Sequence, residues 1–180
     1  MLLEARLQAA SEPAHNAALG RRVLDALKRY DVDHVGFYWP LAGEFDARPA
    51  ISIWLAANAR REASLPVIKE RGTPLEFHAW TPDTLMKIGH HKIAEPTSGQ
   101  VVIPGLLLVP CVGFDANGYR LGYGGGYYDR TLAAWPGAHK PITVGIAYEA
   151  CHTHALQCEA HDIPLDLIVT EAGFYPGPSR

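Results

Sequence analysis

The sequence predicts a three-layer α/β sandwich on a mixed, largely parallel sheet, and two observations carry that expectation. Leu106-Leu-Leu-Val-Pro110, Ile142-Thr-Val-Gly-Ile-Ala147 and Leu167-Ile-Val-Thr170 are apolar runs without polar alternation, the pattern of strands covered on both faces. Stretches with helical spacing of apolar residues lie between the strands, and interleaved strands and helices pack as an α/β sandwich.

Taken in order, Ala14, Ala18, Val23, Leu27 and Tyr30 recur at near-helical spacing over residues 12 to 30, with Ser11 as the expected cap and Pro13 in the first turn. His34 to Pro40 is a short strand run ended by proline. A helical stretch from Ile51 to Ala59 follows the turn Leu41-Ala-Gly-Glu44. Leu65 to Ile68 and Leu75 to Trp80 read as two strands joined around Arg71-Gly72, a hairpin. Leu106 to Pro110 belongs at the sheet centre, and Tyr128 to Trp135 reads as a helix. Gly89 to Pro104 is the longest irregular segment, of the kind that covers ligands on such scaffolds. Trp54, Trp80 and Trp135 sit among apolar residues and are assigned to the core. With no repeat, low-complexity tract or flexible linker, residues 1–180 read as one domain.

Composition bounds the function. A hydrophobic content of 48% supplies a sizeable core, while a formal charge of −3 argues against a nucleic-acid backbone as partner. The opening Met1-Leu-Leu-Glu-Ala-Arg6 has no leader pattern, and no run approaches the roughly 18 apolar residues of a membrane span. The expectation is a cytoplasmic monomer without membrane association. Cys111, Cys151 and Cys158 are too few and irregular for a disulfide framework and are read as reduced thiols.

The most informative element is Arg120-Leu-Gly-Tyr-Gly-Gly-Gly-Tyr-Tyr-Asp-Arg130, between the turn Phe114-Asp-Ala-Asn-Gly118 and a helix. Gly122, Gly124, Gly125 and Gly126 permit positive φ and close approach, so successive N–H groups can converge on anionic oxygens. The following helix start adds partial positive charge, the bracketing arginines suit phosphate, and Asp129 suits Mg²⁺. Tyr123, Tyr127 and Tyr128 offer faces to a flat ring. A bare glycine cluster is more often a tight structural turn; the flanking Arg, Tyr and Asp favour a nucleotide loop. The spacing fits neither Walker A nor a dinucleotide fingerprint.

Val109 to Arg130 as a whole resembles the signature of the 5-formyltetrahydrofolate cyclo-ligase family. Trp39-Pro-Leu-Ala-Gly-Glu44, Glu95-Pro96 and His161-Asp-Ile-Pro-Leu-Asp-Leu-Ile-Val-Thr-Glu171 extend the resemblance over most of the chain from Val35 onward. The resemblance implies a doubly wound sheet and closure of 5-formyltetrahydrofolate to 5,10-methenyltetrahydrofolate, with ATP converted to ADP and phosphate and Mg²⁺ as cofactor. It implies ATP contacts at Arg6, Arg120, Leu121, Gly122, Tyr123, Gly124, Gly125, Gly126, Tyr127 and Tyr128. Folate contacts are implied at Trp39, Glu44, Gly124, Tyr127 and Tyr128. Catalytic roles fall to Arg120, Tyr128 and Arg130, and metal positions to Asp129 and Asp166.

The amino terminus departs from the family pattern. Members carry a Lys or Arg on the first helix and another Arg a few residues later, whereas here only Arg6 precedes Arg21. An upstream start, weaker ATP binding and lost turnover all accommodate this, the last leaving a folate- or nucleotide-binding protein. Two weaker signals complete the reading. Cys151-His-Thr-His-Ala-Leu-Gln-Cys-Glu-Ala-His161 is rich in metal-ligand types at spacings unlike common structural zinc sites, and a polar surface loop is the plainer assignment. His90-His91-Lys92 is either a solvated basic cluster or, through Lys92, a contact to the folate glutamate tail.

Overall fold

The computed structural model describes residues 1–179. Its elements are α1 (Leu2–Ala10), α2 (Pro13–Arg29), β1 (His34–Gly36), α3 (Arg48–Ala56), β2 (Glu62–Val67), β3 (Glu76–Trp80), β4 (Met86–Ile88), β5 (Ala94–Pro96), β6 (Leu106–Pro110), β7 (Gly113–Phe114), β8 (Arg120–Leu121), α4 (Tyr127–Ala133), β9 (Ile142–Ile146), β10 (Leu167–Val169) and β11 (Phe174–Pro176).

Seven of the strands form one sheet in the order β11-β10-β9-β6-β1-β2-β3, with β6 in the middle. The inner pairs β10/β9, β9/β6, β6/β1 and β1/β2 are parallel, and the outer pairs β10/β11 and β2/β3 are antiparallel. The burial of β6 explains its position. Leu106 and Leu108 point into one apolar layer with residues of α2 and α3, while Leu107 and Val109 point into a second layer with Leu132 of α4. Both sheet faces are therefore covered, which makes the expected three layers.

The helices follow from their apolar stripes. Leu19, Val23, Ala26 and Leu27 are the buried face of α2, and Lys28 and Arg29 in its last turn complement the helix dipole. Pro13 opens α2 as expected, but Ser11 does not cap it: Glu12 occupies the cap position, and the Ser11 hydroxyl donates to the Gln8 carbonyl (2.7 Å) at the end of α1. The short α1 buries only Arg6 and Ala9, so it carries no apolar periodicity to be read from sequence.

Two segments differ from their expected form. The stretch around Gly89 to Pro104 is partly ordered, because β4 and β5 pair antiparallel and the turn between them holds a single 3₁₀ turn at His90–Lys92. Farther on, residues 100–102 run along the outer side of β3, where Ala79 N–H donates to the Gln100 carbonyl and Val102 N–H to the Phe77 carbonyl (both 2.8 Å). No helix among the described residues is long and apolar enough to cross a membrane.

Because Leu108 is fully packed between layers, Leu108→Ala should lower unfolding free energy by about 2–5 kcal/mol. Leu85→Ala, at a side chain 77% exposed, should change it by no more than about 0.5 kcal/mol. Urea unfolding of the two variants checks the contrast.

Candidate active site

At the carboxyl ends of the parallel strands the chain leaves β1 toward β2 on one side, whereas β6 continues toward β9 on the other. Open α/β sheets place ligands in the crevice that such a divergence creates. A cavity of about 1000 Å³ opens there, bounded by Tyr38 and Trp39 after β1, Pro66 near the end of β2, and Pro110 at the end of β6. The glycine-rich stretch from Arg120 to Asp129 forms one wall, and Glu44 lies opposite in the turn after Trp39.

The glycine loop owes its shape to its own side chains. Gly124 (φ 85°) and Gly126 (φ 63°) take left-handed conformations that residues with a Cβ adopt only under strain. Arg120 Nη2 donates to Asp129 Oδ2 (3.2 Å), joining the two ends of the loop with side chains only 8% and 15% exposed. Arg130 Nη2 donates to the Gly125 carbonyl (2.6 Å), and its guanidinium lies over the Tyr127 ring. Arg120 lies over the Tyr128 ring, and burial pushes the Tyr128 hydroxyl well above its ordinary pKa. Tyr128 therefore faces the cavity as a neutral hydrogen-bonding group.

On the opposite wall, burial raises the Glu44 carboxyl from its ordinary value, opposed by the Leu41 N–H, which donates to Oε2 (2.8 Å), and by Arg6. Trp39 is held by the Arg48 guanidinium, centred 4.2 Å from its ring, and Arg48 is in turn paired with Asp46 through two donations of 2.8 Å.

A family model for the 5-formyltetrahydrofolate cyclo-ligase family matches residues 1–171. The 5-formyltetrahydrofolate cyclo-ligase of Haemophilus influenzae is 32% identical over 93% of this chain and 91% of its own length. The Escherichia coli enzyme of the same name is 35% identical over 76% of each chain. Among solved structures, the NMR structure of Aquifex aeolicus 5,10-methenyltetrahydrofolate synthetase superposes with a TM-score of 0.72 at 30% identity, covering all of this chain and 96% of the other. The chain belongs to the 5-formyltetrahydrofolate cyclo-ligase family. That makes it a ligase by kinship and matches the α/β fold described above to that of its structural neighbours.

The cavity gathers most, but not all, of the residues singled out in the sequence. Trp39, Glu44 and the whole run Arg120 to Asp129 line it. Arg130 does not; it supports the loop from behind through the Gly125 carbonyl. Arg6 stands outside the lining as well, buried beside Tyr123 and Glu44. Asp166 lies at the start of β10, where its carboxylate accepts from Thr143 N–H (2.8 Å) and Thr143 Oγ1 (3.0 Å), both at the amino end of β9. That is the sheet end remote from the cavity, so Asp166 is not brought to Asp129.

Asp162, four residues earlier in the same stretch, does line the cavity. It stands next to Ile163, whose N–H donates to Asp129 Oδ1 (3.3 Å). Ala155 to Asp162 form a wall of the site and not merely a surface loop. The buried Asp115 anchors this wall by accepting from Leu156 N–H (3.1 Å) while its other oxygen accepts from Asn117 and Tyr119 N–H. The tip of the β4–β5 hairpin supplies another wall through His91, which bonds the Tyr127 hydroxyl (3.0 Å); Lys92 is exposed and outside the lining. No cluster of three or more potential metal ligands occurs among the described residues.

Two predictions follow from burial. Glu44 has a raised folded-state pKa, so its contribution to stability is full below its unfolded value and is lost as pH rises through the folded one. Denaturant titrations should find wild type losing stability relative to Glu44→Gln as pH rises above the ordinary glutamate range; a constant difference would remove the shift. Burial also pushes the Cys111 thiol up to about 12 and raises Cys151, whereas Cys158 is exposed. Ellman's reagent at mildly alkaline pH should titrate one thiol in the folded protein and three after unfolding.

Proposed function

We propose that this chain closes 5-formyltetrahydrofolate to 5,10-methenyltetrahydrofolate, converting ATP to ADP and phosphate. The observation that carries the reading is the single cavity in which the Arg120–Asp129 loop faces Trp39 and Glu44. A formamide oxygen is a poor leaving group. Its attack on the γ-phosphorus of ATP releases ADP and turns that oxygen into a phosphate ester; folate N10 then attacks the formyl carbon and loses its proton, and phosphate departs with the oxygen. No protein nucleophile is needed, so the side chains position groups and stabilise charge.

The residues divide that task. Backbone N–H groups of the glycine loop and the Arg120 guanidinium serve the phosphates, and the neutral Tyr128 hydroxyl hydrogen-bonds near the transferred group. Arg130 positions the loop. Glu44 accepts from the N–H edge of the pterin, with Trp39 as an apolar wall. For Mg²⁺ the donor chemistry fits: Asp129 and Asp162 present carboxylate oxygens on adjoining walls, and each Asp129 oxygen accepts one hydrogen bond, Oδ2 from Arg120 and Oδ1 from Ile163 N–H, leaving lone pairs for a cation. Asp129 and Asp162 would hold the ion, which would supply neutralisation of phosphate charge. Asp166 is given no part in it.

A catalytically silent binder is the second reading, favoured by the placement of Arg6 outside the cavity lining. Growth of methenyl absorbance on mixing protein, ATP, Mg²⁺ and 5-formyltetrahydrofolate tests the main one; ligand affinity without product would establish the binder. Arg120→Lys should lower kcat by roughly 10²-fold. Asp162→Asn should raise the Mg²⁺ concentration needed for half-maximal rate, while Asp166→Asn should leave it unchanged.

A further inference from the structure

Arg6 has an unusual set of neighbours for a side chain projecting from a first helix. It is 2% exposed although it sits on a short helix whose other buried residue is Ala9. Its Nη2 donates to the Ala42 carbonyl (3.1 Å) and to the Tyr123 hydroxyl, and the guanidinium packs over the Tyr123 ring. Nη1 stands 3.7 Å from Glu44 Oε1. Gly43, at φ 78°, turns the chain around this group; a Cβ there would come within 3.3 Å of Arg6 Nε. The Leu41–Glu44 turn is thus wrapped around Arg6 on one side, and the glycine loop is fastened to it on the other.

We propose that Arg6 is a positioning residue that couples the two halves of the cavity, so that nucleotide on the glycine loop and folate at Trp39 and Glu44 each tighten the other's binding. The inference rests on the functional reading above. Both Tyr123 and Glu44 line the cavity, whereas Arg6 reaches it only through them. A ligand that draws Tyr123 or Glu44 inward must shift Arg6, and Arg6 carries that shift to the opposite wall. Its buried Nε and Nη1 have no hydrogen-bond partner, which leaves spare donors for a rearranged contact as the walls move. Coupling between sites is reciprocal by thermodynamic necessity.

Calorimetric titration of 5-formyltetrahydrofolate with and without saturating β,γ-methylene ATP and Mg²⁺ measures the coupling directly. Wild type should bind the folate at least about fivefold more tightly with the analogue present. Tyr123→Phe and Arg6→Lys should each reduce that ratio to less than about twofold, and the double variant should equal the singles because both remove one linkage. Absence of the ratio in wild type, or its survival in Tyr123→Phe, overturns the proposal. So does an Arg6→Lys variant that weakens analogue binding equally with and without folate, the behaviour of a simple phosphate contact. Tyr123 is 57% exposed, so its variant decides the matter even if Arg6→Lys unfolds. Methenyl formation by wild type is scored separately: no product sinks the functional reading, whereas product without coupling sinks only this inference.

Discussion

The site depends on one topological constraint, the side-by-side parallel placement of β1 and β6 with the chain leaving them in opposite directions. Both strands are buried on both faces, so nothing polar can be built on the sheet surface itself. Chemistry is confined to the ends of the strands, and only where the connections part is there room for a ligand. Tyr38 and Trp39 leave one lip of that opening and Pro110 the other, while the hairpin and glycine loop that follow β6 fold back to close its side.

Within the opening, two arginines with similar surroundings in sequence do different work. Arg120 faces the cavity and braces the loop by pairing with Asp129; Arg130 lies behind and fixes the Gly125 carbonyl. The left-handed glycines would otherwise leave the loop many conformations, and ordering them on ligand binding would cost entropy. The two guanidiniums pre-order it, so less of a ligand's binding energy would go into fixing the loop.

Much of this was legible in the residues. The continuous apolar run Leu106–Pro110 announces a central strand because burial on both faces leaves no polar alternation, and β6 is the middle strand. The glycine loop was legible because its chemistry is contiguous. The wall from Ala155 to Asp162 was not: its backbone is held by Asp115, 41 residues distant from Leu156, and local spacing contains no trace of that bond. The same limit applies to the two carboxylates near the end of the chain. Asp162 and Asp166 flank a short apolar stretch, and only the register of β10 against β9 decides which faces the cavity and which caps Thr143. The resemblance marks Arg6 as an ATP contact, but its burial against Tyr123 is a tertiary fact that no local pattern carries.

The borders of the sheet carry a further consequence. A border strand with free N–H and C=O groups is a template for recruiting a second chain. Here residues 100–102 already occupy the outer hydrogen-bonding row of β3, and at the other border β11 is only three residues long. Strand addition between copies therefore finds little ladder to extend on either flank, which protects a molecule whose interior is so rich in β-forming apolar runs from assembling into fibrils through its margins.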